Sequence, residues 1–179
     1  ATNPFLKYMN ATAHQGAVID ALIMTHPHVD HFPGARGIVR HFDVCDYYDP
    51  GYPKEGTLYP QFVDEVRNGH CGSHAPTMHM GRDQFGQPDW GSEVGVEFLY
   101  AWPGSPAGLG SGNTLENNAS IVLRITYGSQ SILLMGDAEG KDRANAPDVP
   151  KYVEARLLAD SVAAKLKSTV LKIAHHGSE

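Results

Sequence analysis

The chain has 179 residues, a length that suits one domain and exceeds that of a miniprotein held together by disulfides. Its composition, 41% hydrophobic and 19% charged, can form a core and is not that of a disordered segment. The formal net charge of −6 excludes a broad basic face for nucleic acid, although divalent cations would add local positive charge. The sequence shows no transmembrane segment and no signal peptide.

Helical and strand patterns alternate in the first part of the chain. The pattern predicts a helix over residues 3–13, a strand over 17–24 and a second helix over 33–42. A short strand over 43–47 and a helix over 58–66 follow. Pro33 suits the first turn of its helix. Residues 68–91 combine little periodicity with much Gly, Pro and His, so we expect an irregular insertion there.

The second half has a sharper pattern. Residues 94–102 predict a strand, which the flexible loop 103–112 follows. Residues 120–127 and 131–135 predict the two strands of a hairpin. A helix over 153–166 and a final buried strand over 169–174 follow. This order favours a mixed, layered α/β domain, and no linker marks a second one.

The ten histidines are clustered, which is unusual. The segment T-H-P-H-V-D-H directly follows strand 17–24, where a turn can point His26, His28, Asp30 and His31 into one space. Imidazole and carboxylate groups at this spacing suit zinc, manganese or iron, and they can serve two neighbouring ions. A solvated histidine-rich turn is the weaker interpretation, because four ligand-type residues follow one buried strand.

Two more predicted strands end in residues of the same kind. Strand 131–135 runs into G-D-A-E, where Asp137 could bridge two metals or simply cap the next turn. Strand 169–174 ends in H-H-G-S, which contains His175 and His176. Three strand ends that each deliver a metal-type residue predict a site on one edge of a sheet.

These motifs carry a resemblance to a known family. T-H-P-H-V-D-H resembles the H-x-H-x-D-H signature of the metallo-β-lactamase superfamily. The runs N-N-A-S, G-D-A-E and H-H-G-S are similar, within it, to the metallo-hydrolase domain of ComEC-type competence (DNA-uptake) proteins and their stand-alone relatives. The likeness spans residues 19–178 in order. It implies an α/β (α+β) fold, a four-layer αββα sandwich, as a single domain over residues 1–179 with an irregular insertion at about 46–112.

The resemblance also implies two divalent metal ions, zinc or manganese. Six residues are implied as ligands: His26, His28, Asp30, His31, Asp137 and His175. The two histidines of H-x-H would hold one ion, the following D-H pair with His175 would hold the other, and Asp137 would bridge them. His176 is the alternative ligand to His175. Otherwise it contacts the ligands without binding metal, or it touches the substrate. Asp30 and His176 are the catalytic candidates, for proton transfer.

The N-N-A-S run stands where the family pattern leads us to look for one more ligand. Superfamily members with a complete first site usually add a histidine before G-D, and none appears in this run. We therefore expect Asn117, Asn118 or Ser120 to lie near the metals, filling that space or binding substrate. A turn at the start of a strand is an equally good interpretation.

The sequence departs from the family pattern in three places. F-P-G replaces the usual Gly-Gly after the signature, so the start of the next helix is expected to differ. The family's opening strands are absent, and the sequence stops at Glu179 where relatives continue. We expect a domain that is incomplete at both ends, with exposed sheet edges if nothing covers them.

A second cluster contains His70, Cys71, His74 and His79. It could bind a structural zinc or supply the missing ligand, but a histidine-rich surface loop is the preferred interpretation. Pairing of Cys71 with Cys45 is a further alternative.

The expected function follows from the implied metals. A dinuclear site with a metal-activated water suits hydrolysis of phosphodiesters, esters, thioesters or amides. The resemblance favours a phosphodiesterase or nuclease acting on DNA, so the expected partner is a phosphodiester or nucleic-acid substrate. The alternatives are a small-molecule hydrolase, acting on a β-lactam or thioester, and a non-catalytic metal-binding interaction domain. The sequence leaves the compartment open.

Overall fold

The computed structural model describes residues 4–12, 17–141 and 149–177. In this part the α-helices are Pro4–Thr12 (α1), Phe32–Val39 (α2), Leu58–Arg67 (α3), Gly112–Asn117 (α4) and Tyr152–Ala159 (α5). The strands are Val18–Ile23 (β1), Asp43–Asp49 (β2), Thr77–Met80 (β3), Val94–Tyr100 (β4), Val122–Tyr127 (β5), Gln130–Leu134 (β6) and Val170–Lys172 (β7). Residues 3 and 13, the ends of the first predicted helix, and Ser178 of H-H-G-S lie outside the described residues.

The strands form two sheets. The first has the order β1-β2-β3 and is entirely parallel. The second has the order β4-β5-β6-β7, antiparallel from β4 to β6 and parallel between β6 and β7. Because parallel strands end at the same edge of a sheet, whatever follows β1 lies beside the end of β2, and whatever follows β6 lies beside the end of β7.

Side chains that alternate along the strands divide the core into three regions, one between each pair of neighbouring layers. In β2, Tyr47 packs with α2 and α3, whereas Tyr48 faces the second sheet. In β5, Leu123 faces the first sheet, whereas Val122 packs on the side of α5. Since successive residues of a strand point to opposite faces, this division orders the layers as helices, sheet, sheet and helix. The αββα fold predicted from the sequence is confirmed.

The middle of the chain is more regular than expected. Within the predicted insertion at about 46–112, the structure has the expected helix and strand as α3 and β4, and it adds the short strand β3 inside the segment 68–91. Strand β3 is only four residues long and exists through its pairing with the end of β2, as in the pair Tyr48 and His79. A segment that takes its conformation from a distant partner carries little periodicity of its own.

The F-P-G sequence starts helix α2 without disrupting it. The helix begins at Phe32, and Pro33 occupies its first turn, where a missing N–H is tolerated. Phe32 is buried, and its ring centroid lies 5.3 Å from that of Tyr59 and 5.9 Å from that of Phe62. The residue that replaces the family's glycine therefore anchors α2 to α3. Among the described helices, none has the length and apolarity needed to cross a membrane.

The second histidine cluster is organised by a disulfide. Cys45 of β2 is bonded to Cys71, so no Cys71 thiolate is available to hold a structural zinc. His79 is engaged elsewhere: its Nε2 lies 2.7 Å from Asp46 Oδ1 and its Nδ1 lies 2.8 Å from the carbonyl oxygen of Gln84. The cluster thus joins the β2–β3 region and is separate from the T-H-P-H-V-D-H segment.

We expect the disulfide to stabilise the chain measurably. The bond joins residues 26 positions apart, and closing a loop of that length removes entropy equivalent to about 3.5 kcal/mol from the unfolded state. Urea unfolding of the double variant Cys45→Ser/Cys71→Ser should show a loss of about 2–4 kcal/mol in the free energy of unfolding. A reductant should destabilise the wild-type chain and leave the variant unchanged. Two titratable thiols in the denatured, unreduced wild type would contradict the bond.

Candidate metal centre

The ligand-type residues come from strand ends that meet at one edge of the two sheets. The segment His26 to His31 follows β1, Asp137 follows β6, and His175 and His176 follow β7. A backbone hydrogen bond, from the Ile121 N–H to the carbonyl oxygen of Thr25 at 2.8 Å, joins the two sheets at this edge. The carboxyl ends of β1, β6 and β7 therefore present their polar residues to a common space.

The carboxylate of Asp137 lies at the centre of this space. Its Oδ2 atom is 3.2 Å from His31 Nε2, 3.2 Å from His176 Nε2 and 3.7 Å from His26 Nε2. The side chain is buried, whereas His176 is more than half exposed. One oxygen within reach of three imidazoles is the arrangement that a bridging ligand requires.

Four donors converge closely enough to hold one ion. The candidate ligand atoms of Asp30, His31, Asp137 and His176 all lie within 4.8 Å of one another. Asp30 Oδ2 is 3.7 Å from His31 Nε2 and 3.6 Å from His176 Nε2. Of the two adjacent histidines, His176 belongs to this group. His175 does not belong to it, and its ring centroid lies 6.3 Å from that of His176.

His26 and His28 form a second pair next to this group. Their ring centroids are 5.0 Å apart, and the Nε2 atoms of both are buried without a hydrogen-bond partner. Two imidazoles bound to one tetrahedral zinc, with Zn–N of about 2.0–2.1 Å, place their ring centroids roughly 5 Å apart. Nδ1 of His26 is 3.1 Å from the Thr25 hydroxyl, which fixes the ring with Nε2 turned toward Asp137.

The electrostatics keep these groups in their metal-binding forms. Burial, reinforced by the nearby His31, lowers the pKa of the His26 imidazole from 6.5 to about 3, so the ring is neutral at neutral pH. Burial alone would raise the pKa of Asp137, but the hydrogen bond from His31 and the charges of His26, His31 and His176 outweigh it and bring the pKa to about 2. A neutral imidazole and an ionised carboxylate are the forms that coordinate metal.

Unusual backbone conformations direct the histidines after β7. His175 and His176 have φ values of 47° and 54°, in the left-handed region that costs a residue with a Cβ about 1–2 kcal/mol. The His175 N–H donates to the carbonyl oxygen of Gly136 at 3.2 Å, and the Lys172 ammonium donates to the same oxygen at 2.9 Å. The strain is thus held by contacts to the turn that carries Asp137, and it directs His176 at the carboxylate.

The N-N-A-S residues support that turn. Ser120 Oγ accepts a hydrogen bond from the Asp137 N–H at 2.9 Å, and Asn118 Oδ1 accepts one from the Glu139 N–H at 2.8 Å. Asn117 Nδ2 donates to the Glu139 carboxylate at 2.8 Å. All three side chains are buried, so the structure gives them the role of holding the turn. Their contact with a substrate remains a prediction.

Sequence reasoning missed three charged residues at this edge. Glu116 Oε2 lies 3.0 Å from His28 Nε2 and 2.5 Å from Lys54 Nζ. Lys172 Nζ lies 3.8 Å from Asp137 Oδ1. The sequence signal for Glu116 was its position directly before N-N-A-S, the run in which the family pattern led us to expect a histidine ligand.

The unpaired polar atoms provide a test of whether these residues fit a metal. Among the described residues, the buried side-chain atoms without a hydrogen-bond partner include His26 Nε2, His28 Nε2 and Asp137 Oδ1. An unsatisfied buried polar atom costs about 1–3 kcal/mol, and three beside one another call for a ligand. Imidazole nitrogen and carboxylate oxygen are donors suited to zinc or manganese, so the residues fit divalent metal.

Gly136 should tolerate no side chain. A Cβ at this residue, whose φ is +57°, would lie 2.8 Å from Ser120 Cβ and Oγ and 3.3 Å from the carbonyl oxygen of Ile121. Gly136→Ala should therefore displace the Asp137 turn, lowering both the free energy of unfolding and metal affinity. Gly128→Ala is the matched control, because Gly128 has a φ of +55° and no atom within 4 Å of an added Cβ.

Urea unfolding should show a loss of about 1–2 kcal/mol for Gly128→Ala, the cost of the left-handed backbone alone. The loss for Gly136→Ala should exceed it by about 1–3 kcal/mol, the cost of overpacking. Equal losses would mean that Ser120 yields without cost, and that the close approach does not position Asp137.

Comparison with known proteins places this geometry in a family. The model of the metallo-beta-lactamase superfamily matches residues 10–175. "Recombination protein 2" of Haemophilus influenzae is 26% identical over 165 residues, which are 92% of this chain and 16% of that protein. The chain thus spans about one sixth of the length of this curated relative, and the likeness supports the resemblance to ComEC-type proteins. The family match covers most of the chain, and the chain belongs to the metallo-beta-lactamase superfamily, whose members are generally metal-dependent hydrolases.

Proposed function

We propose that the chain is a metal-dependent phosphodiesterase that cleaves DNA at a dinuclear site. The observation that carries the proposal is the convergence of His26, His31 and His176 on one oxygen of Asp137. A single carboxylate oxygen with imidazoles around it is suited to bridge two neighbouring divalent ions. The unpaired Nε2 atoms of His26 and His28 support a second ion beside the four-donor group.

The proposed ligands divide between the two ions. His26 and His28 would hold one ion, the D-H pair of the signature, Asp30 and His31, would hold the other, and Asp137 would be shared. His176 is favoured over His175 as the last ligand, because its Nε2 belongs to the group of converging donors. We propose zinc or manganese, which accept this mixture of nitrogen and oxygen donors.

The chain's own residues orient the reaction and move protons. Two divalent ions, if bound by these residues, would supply a water nucleophile at neutral pH and would stabilise charge on the phosphate. The side chains of Asp30 and His176 are 62% and 56% exposed, so they lie on the open side of the site. From there Asp30 can accept a proton from the attacking water or donate one to the leaving oxygen through a carboxylate oxygen that does not hold the ion. His176 can take this role only where His175 replaces it as the ligand. Asp137 stays fixed, because Ser120 binds its backbone N–H.

The open side of the site favours an extended substrate. A polymer can lie across a surface that exposes Asp30 and His176, whereas a small molecule is better held in an enclosed cavity. The similarity to a protein named for recombination favours DNA as that polymer. The net charge of −6 requires that the phosphate be bound mainly by the ions, since the chain as a whole repels it.

Phosphodiester cleavage by purified protein tests the proposal directly. The apo chain, reloaded with Zn²⁺ or Mn²⁺, should hydrolyse a bis(4-nitrophenyl) phosphate ester and a fluorescently labelled single-stranded DNA. Asp137→Asn should reduce cleavage by about a hundredfold or more, since loss of a ligand exceeds the 10–100-fold effects of outer partners. His41→Ala is the matched control and should match the wild type, because His41 is exposed and bonds only locally, to Gly37.

The alternative functions are outcomes of the same experiment. Turnover of a β-lactam or a thioester without phosphodiester cleavage would replace the proposal with a small-molecule hydrolase. Bound metal without turnover of any of these substrates would replace it with a metal-binding interaction domain. Cleavage that survives Asp137→Asn would show a contaminating nuclease and sink the assignment of the site.

A further inference from the structure

Glu116 occupies a position that the site described so far does not use. It lies in α4, directly before the N-N-A-S run, and its side chain is only 17% exposed. Oε2 is 3.0 Å from His28 Nε2 and 2.5 Å from the ammonium of Lys54. A carboxylate is therefore placed against a histidine of the H-x-H pair.

The contact between Glu116 and His28 is close, but it is not a hydrogen bond. At 3.0 Å the two atoms are within range, yet His28 Nε2 has no hydrogen-bond partner because the angles are unfavourable. Two donor atoms that share one tetrahedral ion at about 2.0–2.1 Å from each lie roughly 3.3 Å apart, without pointing at one another. The geometry of this pair is that of two ligands facing a common point.

With Asp137 shared between the two ions, the His26–His28 ion has three protein ligands. Such an ion keeps a fourth position, and at times a fifth, for a further donor, which can be water, substrate or another protein group. Ser120 and Asn118 do not supply this donor with their present contacts, since both bind the backbone of the Asp137 turn. Asn117 binds Glu139 through Nδ2, and its buried Oδ1 has no hydrogen-bond partner. Glu116 is the carboxylate that the described structure brings to His28.

We propose that Glu116 is a further protein ligand of the ion held by His26 and His28, beside the shared Asp137, and that Lys54 is its partner when the ion is absent. The inference rests on the proposed dinuclear site. Glu116 Oε2 lies 2.5 Å from Lys54 Nζ in the structure, so its carboxylate would turn from Lys54 toward the ion when the ion binds. The Glu116 carboxylate would thereby exchange the Lys54 ammonium for the metal ion, so that its negative charge is balanced in both states.

A carboxylate in this position affects metal preference. Oxygen donors favour manganese and other hard cations more than imidazole does, so a His₂Glu set is more tolerant of manganese than a His₃ set. Glu116→His should restore three nitrogen donors and raise the affinity for zinc relative to that for manganese. Lys54 competes with the ion for Glu116, so its removal should not weaken the site.

Metal titration of the full chain tests the inference without relying on activity. Apo protein is titrated with Zn²⁺ and with Mn²⁺ by calorimetry, and Co²⁺ absorption spectra report the ligand set of each site. The wild type should bind two ions, and Glu116→Gln should weaken one of them by about tenfold or more with a changed Co²⁺ spectrum. Lys54→Met is the matched control, because it breaks the same ion pair and leaves the carboxylate in place.

The outcomes separate this inference from the proposed function. Equal weakening by Glu116→Gln and Lys54→Met would mean that Glu116 acts only through the ion pair, and unchanged binding in Glu116→Gln would also overturn the inference. If the wild type binds a single ion, the dinuclear proposal fails. The inference about Glu116 then stands only if that ion is weakened by both His28→Ala and Glu116→Gln. Circular dichroism of each apo variant confirms that it is folded.

Discussion

The buried carboxylate of Asp137 is the group on which the arrangement of this edge depends. A buried carboxylate is stable only when hydrogen-bond donors or opposite charge compensate it. Here His31 hydrogen-bonds Oδ2, and the imidazoles of His26 and His176, which come from two different sheets, lie within 3.7 Å of the same atom. His26 and His31 approach from the segment after β1, and His176 approaches from the end of β7. The two sheets must therefore pack with their strand ends together, and the hydrogen bond between Ile121 and Thr25 holds that alignment.

The turn around Asp137 is fixed before any ligand arrives. Ser120 and Asn118 bind its backbone from one side, and His175 and Lys172 bind Gly136 from the other. These contacts offset the backbone strain at the two histidines after β7. A carboxylate held in this way keeps its direction whether or not its partners are charged, which is what a ligand set needs for selectivity.

The sequence was sufficient for the fold and for the strand ends, but not for every side chain between them. The strand before T-H-P-H-V-D-H and the hairpin follow from periodicity and turn residues, whereas the αββα order was implied by the family resemblance that the motifs carry. Strand β3 was missed because it depends on pairing with β2. Glu116 was missed because its proximity to His28 is a property of packing that no local pattern records. The ligand assignments themselves remain predictions.

The site lies between the ends of the two sheets, and this position has a consequence for the stability of the whole chain. His26, His28 and His31 belong to the end of one sheet, whereas Asp137 and His176 belong to the other. An ion held among them is then a cross-link between the two halves of the core, and it binds the folded state alone. At a hundred times its dissociation constant, such an ion adds about 2.7 kcal/mol to the free energy of unfolding. If the proposed ion is bound, a chelator would thus lower the free energy of unfolding by about that amount.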